Sequence, residues 1–308
     1  MSAGIALIDM GGTFTKLGWI PSDPSPSALE VGSLPAVSRF LSKLLWARAD
    51  RLPARLAAEF DWLLKQAGQP RLQSPDGLKM FEKVYLSFAG WFKSGHDGVC
   101  DLAYVNHWHK EAMAPAGTEF TSRTMADLLG TDPHKTFALV DKYASGISFI
   151  ARHPGRNGAV MTLGTGTGLI RVHDGHLFDD VTARTVLVNS DRERRDVNLH
   201  EFLGDPGLAV LAGGGSPNLR VSISNRILKS LLAVERRLVD ASGAAGFLIE
   251  IAGGGFDACD WEWVCREFGN KRQADTSLAA VADPSFNNIF GLAHLCRTGT
   301  FPVDYYGN

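Results

Sequence analysis

The chain has 308 residues, 45% of them hydrophobic and 21% charged, a balance that excludes a disordered or fibrous protein and allows two lobes of ordinary domain size. Thirty-one basic residues stand against 33 acidic ones, a net charge of −2 without a long block of one sign, so no nucleic-acid partner is expected. No run approaches the roughly 18 consecutive apolar residues of a membrane span, and Cys100, Cys259, Cys265 and Cys296 show neither C-x-x-C nor zinc spacing, as expected of reduced core thiols in a cytoplasmic protein that meets no membrane.

The opening run Ile5-Ala6-Leu7-Ile8 ends in Asp9-Met10-Gly11-Gly12-Thr13. Phe14 to Trp19 then alternates, which predicts the return strand of a hairpin. A dinucleotide site or a P-loop would place a helix after its glycines, so neither is expected. Pro21 to Pro26 read as a surface loop. Ala36 to Lys65 carry Leu, Trp and Phe at helical spacing, with Pro35 and Pro53 as breaks, and predict two helices. Val84 to Phe88 predicts a buried strand leading into the turn Ala89-Gly90, and Leu102 to Val105 another before Asn106-His107-Trp108. Thr124 to Leu129 predicts a short helix closed by Gly130, Phe137 to Val140 a strand ending at Asp141, and Tyr143 to Arg152 a helix behind it. Strands alternating with helices after a hairpin make an α/β fold.

The opening theme recurs at Ala159. Val160-Met161-Thr162-Leu163 is followed by Gly164-Thr165-Gly166-Thr167-Gly168, a return strand Leu169 to Val172 and a turn at Asp174-Gly175. Two such glycine turns half a chain apart suggest an internal duplication. The basic run Arg192, Arg194 and Arg195, interrupted by Glu193, reads as a solvated loop. Leu219 to Asp240 predicts a long helix, Phe247 to Ile251 a strand entering Gly253-Gly254-Gly255, and Phe286 to Cys296 a final helix.

Glycine turns at strand ends let backbone N–H groups approach a phosphate chain, because no Cβ intervenes. The run Gly253 to Gly255 would let a flat ring or ribose pass closely. Asp9-Met10-Gly11-Gly12-Thr13-Phe14-Thr15-Lys16 resembles the first phosphate motif of the actin-like ATPases, in the D-x-G-G-T-x-x-K form of ROK-type sugar kinases and bacterial glucokinases. Gly164-Thr165-Gly166-Thr167-Gly168 resembles their second phosphate motif, Ile249 to Gly255 their adenosine motif, and Asp283 to Ala293 their closing helix.

The resemblance runs in the right order along nearly the whole chain. It implies two ribonuclease-H-like lobes with ATP and Mg²⁺ in the cleft between them. An N-terminal lobe would cover 1–140, with the C-terminal helix 290–308, and a C-terminal lobe 141–289. It also implies that Asp9 holds a hydrated Mg²⁺ and that Lys16 lies near the phosphates. Gly11, Gly12, Thr13, Gly164, Thr165, Gly166, Thr167, Gly253, Gly254 and Gly255 would then bind the nucleotide. Leu139-Val140-Asp141 resembles the segment carrying the family's catalytic Asp, so Asp141 is the candidate base for an acceptor hydroxyl, or a cap of the helix that follows, or both. Asn106-His107-Trp108 resembles the family's N-x-x-W or N-H-x-W sugar loop, with Gly90 in the floor below it.

Three departures qualify the match. Val140 stands where the family has Asn before its catalytic Asp. The family's E-x-G-H sugar motif is Thr182-Ala183-Arg184-Thr185 here, and its Cys-rich zinc loop is missing, so no structural zinc is expected. Losing partners for sugar hydroxyls argues against ordinary glucose, while Arg184 either offers a fork to an anionic substituent of the acceptor or faces solvent or a nearby Asp. His107, His109, His173, His176 and His200 read as surface or supporting residues. The expected activity is therefore an ATP-dependent kinase acting on a hydroxyl of a sugar or sugar-like molecule, as a homodimer. A nucleotide-binding sensor or pseudokinase of the same fold is the alternative. Polyphosphate is a second possible donor, because the second phosphate motif with its Asp174-Gly175 turn is similar to that of polyphosphate glucokinases as well. Because the chain starts at the first phosphate hairpin, a DNA-binding regulator of the same family is not expected.

Overall fold

Strand β1 (Ile5–Met10) is buried at every position, which marks it as a central strand covered on both faces. The computed structural model describes residues 4–11, 14–22, 34, 36–41, 52–69, 77–88, 90–92, 102–105, 126, 129–164, 166–190, 195–203, 217–243, 246–253, 259–283 and 286–299. The chain divides into two units, one containing Met1–Ala144 and Asn288–Phe301, the other Ser145–Asn287.

In unit 1, β1 pairs antiparallel with β2 (Phe14–Ile20), which pairs antiparallel with β3 (Ala36–Leu41). On its other side β1 runs parallel to β4 (Lys83–Phe88), and β4 runs parallel to β7 (Thr136–Val140). A small antiparallel pair, β5 (Gly90–Phe92) and β6 (Leu102–Val105), stands apart from this sheet. Residue parity sorts the two faces. Ala6, Ile8 and Met10 share a core with Leu56, Phe60, Leu63 and Leu64 of helix α1 (Leu52–Gln66).

Ala36–Leu41 is a strand, not the first of two helices as its spacing predicts. Among the described residues of this stretch the helix is Leu52–Gln66, residues 42–51 lying outside them, and the edge of β2 captures the run Ala36–Leu41, with Arg39 placed over the Phe14 ring at 5.2 Å. Pairing across a sheet overrides a local pattern of six residues.

In unit 2, β8 (Gly158–Leu163) pairs antiparallel with β9 (Thr167–His173), and β9 with β10 (His176–Phe178). The turn into β10 puts Asp174 and Gly175 at φ 49° and 78°. A hairpin of β11 (Leu187–Ser190) and β12 (Arg195–Asn198) leads into the short helix α3 (Leu199–Leu203), after helix α2 (Asp141–Arg152) has opened the unit. β8 runs parallel to β13 (Leu248–Ala252), which runs parallel to β14 (Ser277–Ala280). The sheet orders are β3-β2-β1-β4-β7 and β10-β9-β8-β13-β14, with the same strand senses at each place. Duplication suggested by two glycine turns is thus present as two sheets of one topology.

Helix α4 (Pro217–Ser242) buries Ile223, Ile227, Leu231, Val234 and Leu238 against Ala159, Met161, Ile249 and Ile251. Burial of each such side chain is worth about 1.5–3 kcal/mol. Helix α5 (Trp261–Lys271) begins at the capping Asp260, and helix α6 (Asn287–Thr298) closes the described chain. Arg195, expected in a solvated loop, lies in β12 and pairs with Glu201 at 3.0 Å, while 191–194 fall outside the described residues.

Candidate functional site

The parallel strands β1, β4 and β7 end in register, Met10 beside Phe88 and Phe88 beside Val140. Carboxyl ends of parallel strands are where open α/β sheets bind ligands. Asp9 and Ser87 are directly opposed at that end, and Asp141 begins α2 one residue beyond β7. By parity Asp9 lies on the face away from α1, with Ile5 and Leu7. That is the face where α6 packs: the position a Cβ on Gly18 would take is 2.7 Å from Ile289 and 3.3 Å from Leu7.

The result is a buried polar cluster. Asp9 is 1% exposed, and its Oδ1 accepts from Ser87 Oγ at 2.7 Å and from Asn288 Nδ2 at 3.0 Å. Its Oδ2 takes the Lys16 ammonium at 2.6 Å. Asp141 is half-buried, and burial pushes its carboxyl up to about 6. The Asp9 carboxylate adds to that rise, while the Lys142 backbone N–H and the Lys16 and Lys142 ammonium groups oppose it. Asp141 Oδ1 accepts from the N–H of Lys142, the next residue, at 2.7 Å. An N-cap side chain bonds two or three residues on, so this bond leaves the carboxylate oriented by its helix without being that cap.

Gly11 donates its N–H to Phe14 O at 3.1 Å and closes the first turn, whose Gly12 and Thr13 lie outside the described residues. In unit 2, Gly164 N–H donates to Gly166 O at 3.0 Å, Thr167 begins β9, and Thr165 lies outside the described residues. Gly253 follows β13 with φ 97°. Gly254 and Gly255 lie outside the described residues, as does the expected sugar loop Asn106, His107 and Trp108, while Gly90 opens β5.

Arg184 is exposed on a turn from Thr182 to Thr185. Thr185 Oγ1 shares its one proton between the carbonyls of Thr182 and Asp180, at 3.2 and 3.3 Å, and accepts from Thr182 N–H at 2.9 Å. That hydroxyl is committed to its own turn. Asp180 forms a two-pronged pair with Arg171 at 2.8 and 2.7 Å. The turn is tied to α3, because His200 N–H donates to Ala183 O at 2.8 Å. The His200 ring in turn stands 3.6 Å from the position a Cβ on Gly166 would take.

Sequence reasoning missed two of these residues. Ser87 was visible only as the polar member of an apolar strand and Asn288 only as one of two asparagines opening a helix, whereas His200, read as a surface or supporting residue, is exposed with its ring beside Gly166. Nothing local announces their partners.

No protein-family model matches the sequence, and no curated protein matches it. Solved structures do. A ROK hexokinase from Thermus thermophilus is 14% identical with a TM-score of 0.57, over 96% of this chain and 99% of that one. An inorganic polyphosphate/ATP-glucomannokinase from Arthrobacter sp. strain KM is 17% identical with a TM-score of 0.54, over 96% and 100%.

The chain has the fold of the ROK sugar kinases.

That fold is not confined to kinases. A ROK family transcriptional regulator, a homologue of the E. coli MLC protein, is 10% identical with a TM-score of 0.58, over 95% of this chain and 78% of that one. Among the described residues, no helix is long and apolar enough to cross a membrane.

Proposed function

We propose that this chain is an ATP-dependent kinase that phosphorylates a hydroxyl of a sugar or sugar-like small molecule. The observation that carries the reading is Asp141, a carboxylate raised to about 6 at the carboxyl end of the parallel strands β1, β4 and β7, in the field of Asp9 and Lys16. A base with that value is ionised at neutral pH and still basic enough to take a proton. In the proposed step the acceptor oxygen bonds to the terminal phosphorus of ATP, the bond from that phosphorus to the ADP oxygen breaks, and Asp141 takes the hydroxyl proton. Backbone N–H groups of the turns at Gly11 and Gly164 bind phosphate oxygens, and Gly253 lets the nucleoside pass.

Asp9 fits a hydrated magnesium ion, since one of its oxygens is held by neutral donors and the other already faces a cation. Magnesium bound there offsets phosphate charge. The acceptor proposed is one with an anionic substituent rather than D-glucose, since Thr182 and Thr185 stand where the family has its sugar-binding Glu and His, and Arg184 would pair with such a substituent.

The test is acceptor-dependent ADP formation from ATP and Mg²⁺, with polyphosphate as a parallel donor, over neutral hexoses, amino sugars and acidic sugars. Turnover that falls by about 10²-fold or more in Asp141→Asn is the expected result. The regulator with this fold favours a second reading, a nucleotide-binding sensor. Nucleotide binding without turnover for any acceptor would select that reading.

A further inference from the structure

We propose that Ser87 and Asn288 are positioning residues that occupy one oxygen of Asp9 and reserve the other for a cation, so that Lys16 and a nucleotide-borne metal ion compete for Asp9 Oδ2. The inference rests on the nucleotide-binding reading above and concerns what prepares Asp9 for it.

The donors around Asp9 are divided by charge. Oδ1 has two neutral donors, a hydroxyl at 2.7 Å and a carboxamide at 3.0 Å, which together fill the acceptor capacity of one carboxylate oxygen. Oδ2 has the ammonium of Lys16 at 2.6 Å. Asp9 and Ser87 are 1% and 0% exposed and sit on adjacent, fully packed strands, so neither can reorient cheaply. Lys16 is different: its side chain is 19% exposed on a flexible stem. Asn288 is half-buried at the start of α6 and has a shorter side chain than lysine, so of the groups bonded to Asp9 the cation is the freest to move. Lys16 neutralises an otherwise costly buried carboxylate, and it is released toward phosphate when a hydrated metal arrives with the nucleotide. Ser87 and Asn288 do not move in that exchange, and they keep Oδ2 pointed the same way before and after it. Asn288 comes from the start of α6, so the last helix supplies part of the support for the first strand's carboxylate.

The experiment is calorimetric titration of ADP into the full chain, with Mg²⁺ and with chelator, for the parent and for Ser87→Ala, Asn288→Ala and Lys16→Met. Thermal unfolding of each variant confirms the folded state. Supporting residues of metal ligands typically tune metal affinity 10- to 100-fold. The tightening of ADP by Mg²⁺ is therefore expected to shrink about tenfold or more in Ser87→Ala and in Asn288→Ala, with chelated ADP binding unchanged, and Ser87→Thr is expected to restore it. In Lys16→Met the half-saturating Mg²⁺ concentration is expected to fall, because the competitor is gone. Equal losses with and without Mg²⁺ would make Ser87 and Asn288 merely structural and overturn the proposal. So would a Mg²⁺ response that is the same in all variants, which would leave the nucleotide reading standing. A parent chain that binds no ADP in either condition would overturn the functional reading itself.

Discussion

Gly253 lies against the backbone of Leu163. A β-carbon on Gly253 would come within 2.3 Å of the Leu163 carbonyl oxygen, and its φ of 97° is one that side-chain-bearing residues rarely adopt. The first glycine after β13 is thus required by the end of β8, whatever else passes over it. Gly166 has no such duty. Among the described residues, a β-carbon there meets the His200 ring at an ordinary 3.6 Å.

The two glycines should separate folding from binding. Gly166→Val is expected to unfold at nearly the parent temperature but to lose nucleotide affinity, because in the proposed site the new side chain would fill space for phosphate. Gly253→Ala is expected to be destabilised by about 3 kcal/mol or more, from a backbone clash and strain together. Denaturant melts and ADP titration measure both. Unchanged nucleotide affinity in Gly166→Val would remove the second glycine turn from the site.

Asp141→Asn is expected to lower turnover by about 10²–10⁴ with nucleotide affinity retained, since the proton acceptor acts in the transition state. The pH profile has a defined sign. With the folded carboxyl near 6 and the ordinary value at 3.8, activity rises as pH passes through about 6. Lys16 pulls that value down, so Lys16→Met moves the acid limb upward. Stability runs the other way: the folded state binds more protons than the unfolded one between about pH 4 and 6, so it loses stability as pH rises across that window and levels off above it. Asp141→Asn flattens this dependence, which melts across the window would record.

Glu250, 1% exposed in β13, carries a structural load. It accepts from Arg152 through two nitrogens and bonds His153 Nε2 at 2.7 Å. Glu250→Ala would leave Arg152 without its buried partner and is expected to cost about 3–5 kcal/mol. A midpoint unchanged in chemical denaturation would show that water replaces the carboxylate without cost.

Arg184→Ala tests specificity. An anionic acceptor is expected to lose about 1–3 kcal/mol of transition-state binding, and neutral acceptors almost nothing. The quantity to compare is kcat/KM for acidic, amino and neutral sugars in parent and variant. D-glucose as the best acceptor, indifferent to Arg184→Ala, would refute an anionic substrate.

What could be read from the sequence was local. Both strand–glycine–strand units, the strand before Asp141 and the two long helical patterns in the second half announce themselves within ten to 25 residues, and they carry the fold with them. β3 did not, because a run of six residues is decided by the neighbouring strand's need for a partner. β14 has only four residues and sits at an edge. The support of Asp9 was hidden for a different reason. Ser87 and Asn288 stand 78 and 279 residues from it, and only sheet register and the return of the last helix bring them together.

That returning helix also sets an order of events. Unit 2 is drawn mainly from one uninterrupted stretch, Ser145–Asn287, whereas unit 1 needs Asn288–Phe301 as well as Met1–Ala144. Ile289 fills the space beside Gly18, and Gly291 lets α6 approach Ala144 so closely that a β-carbon would fall 1.8 Å from its carbonyl oxygen. A chain growing from the ribosome can complete its second half while its first still lacks a wall of its core. The part made first is finished last, and the carboxylate at residue 9 gains its Asn288 partner only after the long stretch of unit 2 has been made.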